Sequence, residues 1–237
     1  MKLLFVASAP MEYSGMLKRM KMRFSGWQAK APAQRVLWAR SGQMNGHEVL
    51  FIASGSGSHR AAAAVDAAAA VFQPNAIVST GFCGAVDPEL EIGQVVIGTS
   101  VTAADRSYAA RQFSGRPACA RGVVATVDHV VQTAAEKKKL REQGAMIVEM
   151  EAGGVAFRAE ALGLPLYCAR AVTDLASEDM ANDFNAALRD DGQFATMRIF
   201  RHALGRPAIR FPELLRLRGN CIQAANTLGD FFAHCEF

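Results

Sequence analysis

Three times along this chain a short apolar run breaks at a polar or glycine-rich junction and resumes as a helical pattern, and that repetition restricts the fold more than any other feature. Leu3-Leu4-Phe5-Val6-Ala7 meets Pro10-Met11-Glu12-Tyr13-Ser14 ahead of a helix expected around Gly15 to Lys21. His47 to Ala53 meets Ser54-Gly55-Ser56-Gly57-Ser58-His59-Arg60 and then the alanine-rich stretch Ala61 to Ala70. Ala145-Met146-Ile147-Val148 meets Glu149-Met150-Glu151-Ala152 and the pattern Gly154-Val155-Ala156-Phe157-Arg158-Ala159. Strands alternating with helices specify an α/β architecture, and in such sheets ligands bind where the carboxyl ends of strands turn into helices.

The remaining segments fit that frame. Arg35 to Arg40 and His47 to Ala53 are strand-like and joined through Gly42-Gln43-Met44-Asn45-Gly46, which carries hairpin chemistry. Ala76 to Thr80 is a buried strand expected to end at Gly81-Phe82-Cys83-Gly84-Ala85, where close glycines let the backbone approach a ligand. Gln94 to Val101 and Gly122 to Thr126 continue the β pattern, and Thr133-Ala134-Ala135-Glu136 has capping-box spacing for a helix start. Pro165 to Asp174 reads as a central strand whose end delivers Asp174. From about Met180 the pattern is helical, with an apolar stripe at Leu214, Leu217, Cys221, Ala224, Leu228, Phe231 and Cys235. A length of 237 residues without linker or repeat suits one domain, residues 1–237, with a helical C-terminal extension from about 180.

Composition excludes several function classes. The net charge of +4 is small and its cations are scattered apart from Lys137-Lys138-Lys139, which reads as a solvated helix face, so nucleic acid is not an expected partner. The five cysteines are far apart, and the five histidines lack ligand spacing, so a reducing cytoplasmic compartment, no metal and no cofactor are expected. Met1 to Ala9 resembles a very short signal peptide, but its apolar core is at the bottom of the required length and an acidic loop follows at once, so it reads as a first buried strand. No segment approaches the roughly 20 apolar residues of a membrane span.

Two readings of the Glu149-Met150-Glu151 junction stand side by side. Carboxylates there can hydrogen-bond a polyhydroxylated ligand such as a ribose, with the thioether as an apolar wall. Equally, both glutamates suit a solvated first helical turn, where they complement the helix dipole. Glu12, just past the first strand, is open to the same pair of readings. The Ser54 to Gly57 loop can offer backbone amides to an anion, although it lacks the third glycine of a dinucleotide fingerprint and the lysine of a P-loop.

Taken in order, Glu12, the Ser54 to Gly57 loop, Ser79-Thr80-Gly81-Phe82-Cys83-Gly84, Val148-Glu149-Met150-Glu151-Ala152 and Arg170-Ala171-Val172-Thr173-Asp174 resemble the purine nucleoside phosphorylase and uridine phosphorylase superfamily. The similarity is greatest to its methylthioadenosine/S-adenosylhomocysteine nucleosidase-like branch. It implies a single-domain three-layer α/β/α sandwich around a mixed, partly barrel-like central sheet. It also implies a purine nucleosidase that hydrolyses the N-glycosidic bond of a 5′-substituted adenosine. By position, Asp174 would be the acid at N7 of the base and Glu12 would orient and deprotonate water. Glu151 would bind the ribose hydroxyls and Met150 would pack on the sugar, with Thr80, Gly81, Phe82 and Val130 completing the substrate-binding set.

The resemblance has departures. The superfamily's phosphorylases hold phosphate with an arginine and a hydroxyl where this chain has Ser79 and Phe82, which favours hydrolysis over phosphorolysis. Val127-Asp128-His129-Val130 lacks the aromatic that usually stacks on the base. A narrower similarity, through Asp128, the stretch Ala134 to Gln143 and the tail around Ala203 to Pro207, points to the hopanoid-associated phosphorylases, which act on adenosylhopane. Two alternatives follow: a phosphorylase holding phosphate through Arg60 or Arg106, and a non-catalytic nucleoside-binding protein. The expected partners are a small-molecule nucleoside and a second copy of the chain in a homodimer. The basic amphipathic tail, with Arg206, Arg210, Arg216 and Arg218, admits a peripheral membrane contact, although most such helices pack on their own domain.

Overall fold

A computed structural model describes residues 1–19, 36–115 and 119–237, so Lys21 and Arg35 lie outside the described residues. β1 (Lys2–Ala7) leads through a single 3₁₀ turn (Pro10–Tyr13) into α1 (Ser14–Arg19). β2 (Trp38–Met44) and β3 (His47–Ala53) form a hairpin, and α2 (Ser58–Phe72) follows. β4 (Ala76–Ala85), β5 (Val95–Ala103), β6 (Arg106–Ala109), β7 (Ser114–Gly115) and β8 (Ala120–Thr126) precede α3 (Ala134–Glu142). β9 (Ala145–Glu149), α4 (Ala152–Ala161) and β10 (Leu166–Asp174) come next, then α5 (Thr196–Ala203), α6 (Pro207–His234) and β11 (Cys235–Glu236).

The main sheet runs β10-β5-β8-β9-β4-β1-β3-β2, and β10 also pairs with β4. β4, β10, β5, β8 and β9 therefore close on themselves as a barrel, from which β1, β3 and β2 continue as open sheet. Pairing is parallel for β1 with β3 and β4, and for β4 with β10; it is antiparallel for β4 with β9 and β10 with β5. This is the mixed, partly barrel-like sheet implied by the resemblance.

Strand alternation sorts the core into layers. Leu4, Val6, Leu50 and Ile52 pack with Ala61, Ala64, Val65 and Ala68 of α2 and Val155 and Ala159 of α4. Leu3, Phe5, Val49 and Phe51 point the other way, onto Met16 of α1 and Leu228, Phe231 and Phe232 of α6. The small residues matter on the first face. A methyl group on Gly154 would lie 1.8 Å from the Ser58 carbonyl oxygen, so α4 can start this close to α2 only with glycine there.

Three expectations are corrected. The hairpin reversal occupies only Asn45 and Gly46, both left-handed (φ 49° and 77°), while Gly42 to Met44 stay in register with β3. β4 does not stop at Thr80; it continues through Gly81 to Ala85, held by β10 on one side and β9 on the other. Residues 180–195 are not helical. Their turn-forming Asn182-Asp183 and Asp190-Asp191-Gly192 are held from outside instead, with Glu213 of α6 accepting from Ala181 N at 2.7 Å and Asn182 N at 2.8 Å.

The apolar stripe of the tail lies inward. Ala224, Leu228, Phe231 and Cys235 are buried against the body of the protein. Of the four flanking arginines, Arg210 bonds the carbonyls of Ala181 and His202, and Arg216 pairs with Glu178. No helix among the described residues is long and apolar enough to cross a membrane.

Candidate active site

Carboxyl ends of β1, β4, β8, β9 and β10 converge on a cavity of about 210 Å³. Glu12, Asp174, Met150, Glu151, Phe82 and Val130 all line it. Thr80 and Gly81 do not: Thr80 is wholly buried with its hydroxyl unpartnered among the described residues, and Gly81 lies behind Glu12. β4 runs on past both, so the structure does not bring these two to the cavity wall with the others.

Glu12 is fixed from four directions. One oxygen accepts from Ser8 N at 2.8 Å, Ala9 N at 2.9 Å and the Ser8 hydroxyl at 3.1 Å; the other accepts from Phe82 N at 2.8 Å. All four bonds use the Glu12 oxygens as acceptors. The strand-end glycines serve this arrangement more than a ligand. A Cβ on Gly81 (φ 135°) would stand 2.5 Å from Glu12 Oε1, and one on Gly84 would stand 2.8 Å from Asp174 Oδ2.

The paired glutamates divide the two roles left open by their sequence. Glu149 is buried and closes the amino end of α4, accepting from Glu151 N at 2.9 Å and Ala152 N at 2.8 Å, with the Thr126 hydroxyl donating to its other oxygen. It is a helix-end acid, but not a solvated one. Glu151 faces the cavity, and Gly57 N donates to it at 3.0 Å. The anion expected at the glycine loop is thus the chain's own side chain. Burial, and after it the charge of Glu149, pushes the Glu151 carboxyl up to about 8, against the pull of Arg170.

Arg170, on β10, is fully buried among these acids, 2.6 Å from Glu149 Oε2 and 3.7 Å from Glu151 Oε2, and donates to Ser79 Oγ at 2.8 Å. Its Nε and Nη1 have no hydrogen-bond partner among the described residues. A charged strand centre is legible in sequence as an anomaly, since a buried arginine needs acids around it.

Asp174 ends β10 with Thr173 Oγ1 donating to one oxygen at 3.1 Å and Lys137 Nζ to the other at 2.5 Å. Burial holds its carboxyl above the usual carboxylate range even with the lysine pulling the other way. Lys137 corrects the expectation of a solvated lysine run: its residue is wholly buried, and only its neighbours face solvent. The signal was present in the spacing. Thr133, Lys137 and Leu140 fall on one helix face, and Leu140 packs on the apolar cluster of Val86, Ala125 and Val148.

On the side of the cavity formed by residues 127–131, Val130 is pinned by Asn185, whose side-chain amide accepts from Val130 N at 2.7 Å and donates to its carbonyl at 2.9 Å. Phe194, from the segment expected to be helical, contributes an aromatic ring to the lining where Val130 has none. The two cations considered as phosphate holders are elsewhere. Arg106 pairs with Glu160 at 2.6 Å on the surface, and Arg60 lines a separate cleft of about 1250 Å³ that meets the cavity at Ser56, Val127 and His129.

Barrel, strand-end acids and sequence pattern lead to one class, and the chain belongs to the phosphorylase superfamily, whose pattern matches residues 24–117 and 106–203. One relative is the 5′-methylthioadenosine/S-adenosylhomocysteine nucleosidase of Anoxybacillus flavithermus, 27% identical over 179 residues that cover 63% of this chain and 77% of that one. Among solved structures, the Helicobacter pylori 5′-methylthioadenosine/S-adenosylhomocysteine nucleosidase superposes with a TM-score of 0.71 at 16% identity, covering 97% of this chain and 95% of that one. The futalosine hydrolase of the same organism superposes with a TM-score of 0.70 at 14% identity, covering 97% and 94%.

Proposed function

We propose that this protein is an adenine nucleosidase that hydrolyses the N-glycosidic bond of a 5′-substituted adenosine. The observation that carries the reading is that Glu12 and Asp174, both buried, line one small cavity together with Glu151 and Met150. N-Glycosidic cleavage leaves positive charge on the sugar and negative charge on the base, so it needs an acid at the leaving group and a base for water. Asp174, whose ionised form burial disfavours, is suited to carry a proton to N7. Glu12, held in place by backbone donors on both oxygens, is suited to orient a water and take its proton. Glu151 and Met150 would hold the sugar.

Charge favours water over phosphate as the nucleophile. The cation beside Glu12 is Arg170, already committed to Glu149 and Glu151, and Lys137 is committed to Asp174. A phosphate dianion entering here would face the Glu12 and Glu149 carboxylates, while the two buried cations beside them, Arg170 and Lys137, are already paired with acids. The similar curated relatives are named nucleosidases, which agrees. Adenine release from 5′-methylthioadenosine should run at full rate in phosphate-free buffer and yield the free sugar. A strict requirement for phosphate, with a sugar 1-phosphate product, would overturn the reading.

A further inference from the structure

α3 is built to aim one amine at the site. Its first turn is fixed by the Thr133 hydroxyl, which accepts from Glu136 N at 3.2 Å, and by the Asp179 carboxylate, which accepts from Ala134 N at 2.7 Å. Lys137 then reaches inward, completely buried, and donates to Asp174 Oδ2 at 2.5 Å and to the Leu175 carbonyl at 2.6 Å. Taking an ammonium out of water is costly, and an apolar side chain of similar length would fill the same space without that cost. The amine therefore calls for a reason beyond packing.

We propose that Lys137 is a positioning residue that sets the strength of Asp174 as an acid, an inference that rests on Asp174 being the proton donor. As the bond between C1′ and the base breaks, its electron pair stays with the base and the Asp174 proton moves to N7. C1′ takes the oxygen of water, whose departing proton goes to Glu12. What remains on β10 is a buried carboxylate, and the Lys137 ammonium stabilises it at the moment it forms. The other groups facing Asp174 cannot do this. The Thr173 hydroxyl is neutral, Glu178 is an acid paired with Arg216, and the Cys83 and Cys221 thiols are held neutral by burial.

The sign of the effect is fixed by this arrangement. Lys137 favours the ionised carboxyl, so its removal raises the pKa of Asp174 and makes it a weaker donor. In Lys137→Met the alkaline limb of kcat should move up by about one pH unit or more. Turnover of 5′-methylthioadenosine at neutral pH should fall about tenfold or more. Cleavage of para-nitrophenyl ribofuranoside, whose leaving group needs no proton, should change by no more than about twofold. Lys137→Arg should restore the wild-type limb. If Lys137→Met does not fold, Lys137→Gln, which keeps a donor for the Leu175 carbonyl, gives the same comparison. An unmoved alkaline limb, or equal losses on both substrates, would overturn the proposal. Asp174→Asn measured alongside separates the two levels: full activity in that variant would remove Asp174 itself, whereas its inactivity with an unmoved limb in the lysine variants removes only Lys137.

Discussion

Asp174 and Glu12 are both buried carboxylates that line one cavity, yet their surroundings differ. Asp174 meets one hydroxyl, one amine and a low-dielectric wall, while Glu12 is surrounded by four donors. Replacing either by its amide keeps the shape and removes the chemistry. Asp174→Asn and Glu12→Gln should each lower kcat by about 100-fold or more with the fold retained by circular dichroism, and near-wild-type turnover would remove that residue from the mechanism. Glu151 gives a prediction about stability instead. Its folded pKa of about 8 lies above the ordinary carboxylate value, so its contribution is fully present below about pH 4 and is lost as pH rises toward 8. Glu151→Gln abolishes that titration. Thermal melts of both proteins should show the variant gaining on the wild type between pH 5 and pH 9, and a constant gap would show that Glu151 ionises normally.

At the scale of elements, the sequence was most legible where one periodicity ran unbroken. β1 and β3 are apolar runs followed at once by a serine, β9 and β10 end in an acid, and the acids of the site are read from that pattern together with the resemblance. β4 was less legible because its two closely spaced glycines have two physical meanings. Glycine weakens a strand, but inside a closing barrel it makes room for side chains from neighbouring elements, here Glu12 of the 3₁₀ turn and Arg170 and Asp174 of β10. The stretch 180–195 misled for another reason: its structure comes from Glu213 and Arg210 of α6, about 30 residues later in the chain, and no local pattern encodes such long-range bonds. α3 shows both limits at once. Its cap was readable from Thr133 and Glu136, whereas three consecutive lysines hid the fact that one faces inward, which only the 3.6-residue periodicity shared with Leu140 could reveal.

Across the whole molecule, the cavity of about 210 Å³ is too small to enclose an adenosine with a long 5′ arm, and a wider cleft beside it decides what the arm can be. The cleft of about 1250 Å³ joins the cavity at Ser56, Val127 and His129, and runs between α2 and α4 past Ala62, Ala63 and Phe157. Ala62 and Ala63 keep α2 low there, and Phe157 offers exposed apolar surface, while Arg158 and Asp66 across the same cleft neutralise one another at 2.5 Å. A 5′ substituent directed along the Ala62, Ala63 and Phe157 wall of this space gains apolar contact. A closed pocket discriminates against each surplus methylene, by about tenfold or more per group. An open cleft does not. Catalytic efficiency on 5′-alkylthio adenosines should therefore stay within about tenfold from methyl to octyl, and Phe157→Asp, which puts a charge in the wall without touching Glu12 or Asp174, should depress only the long-chain members. A steep fall with chain length in the wild-type enzyme would mean that the arm does not enter the cleft.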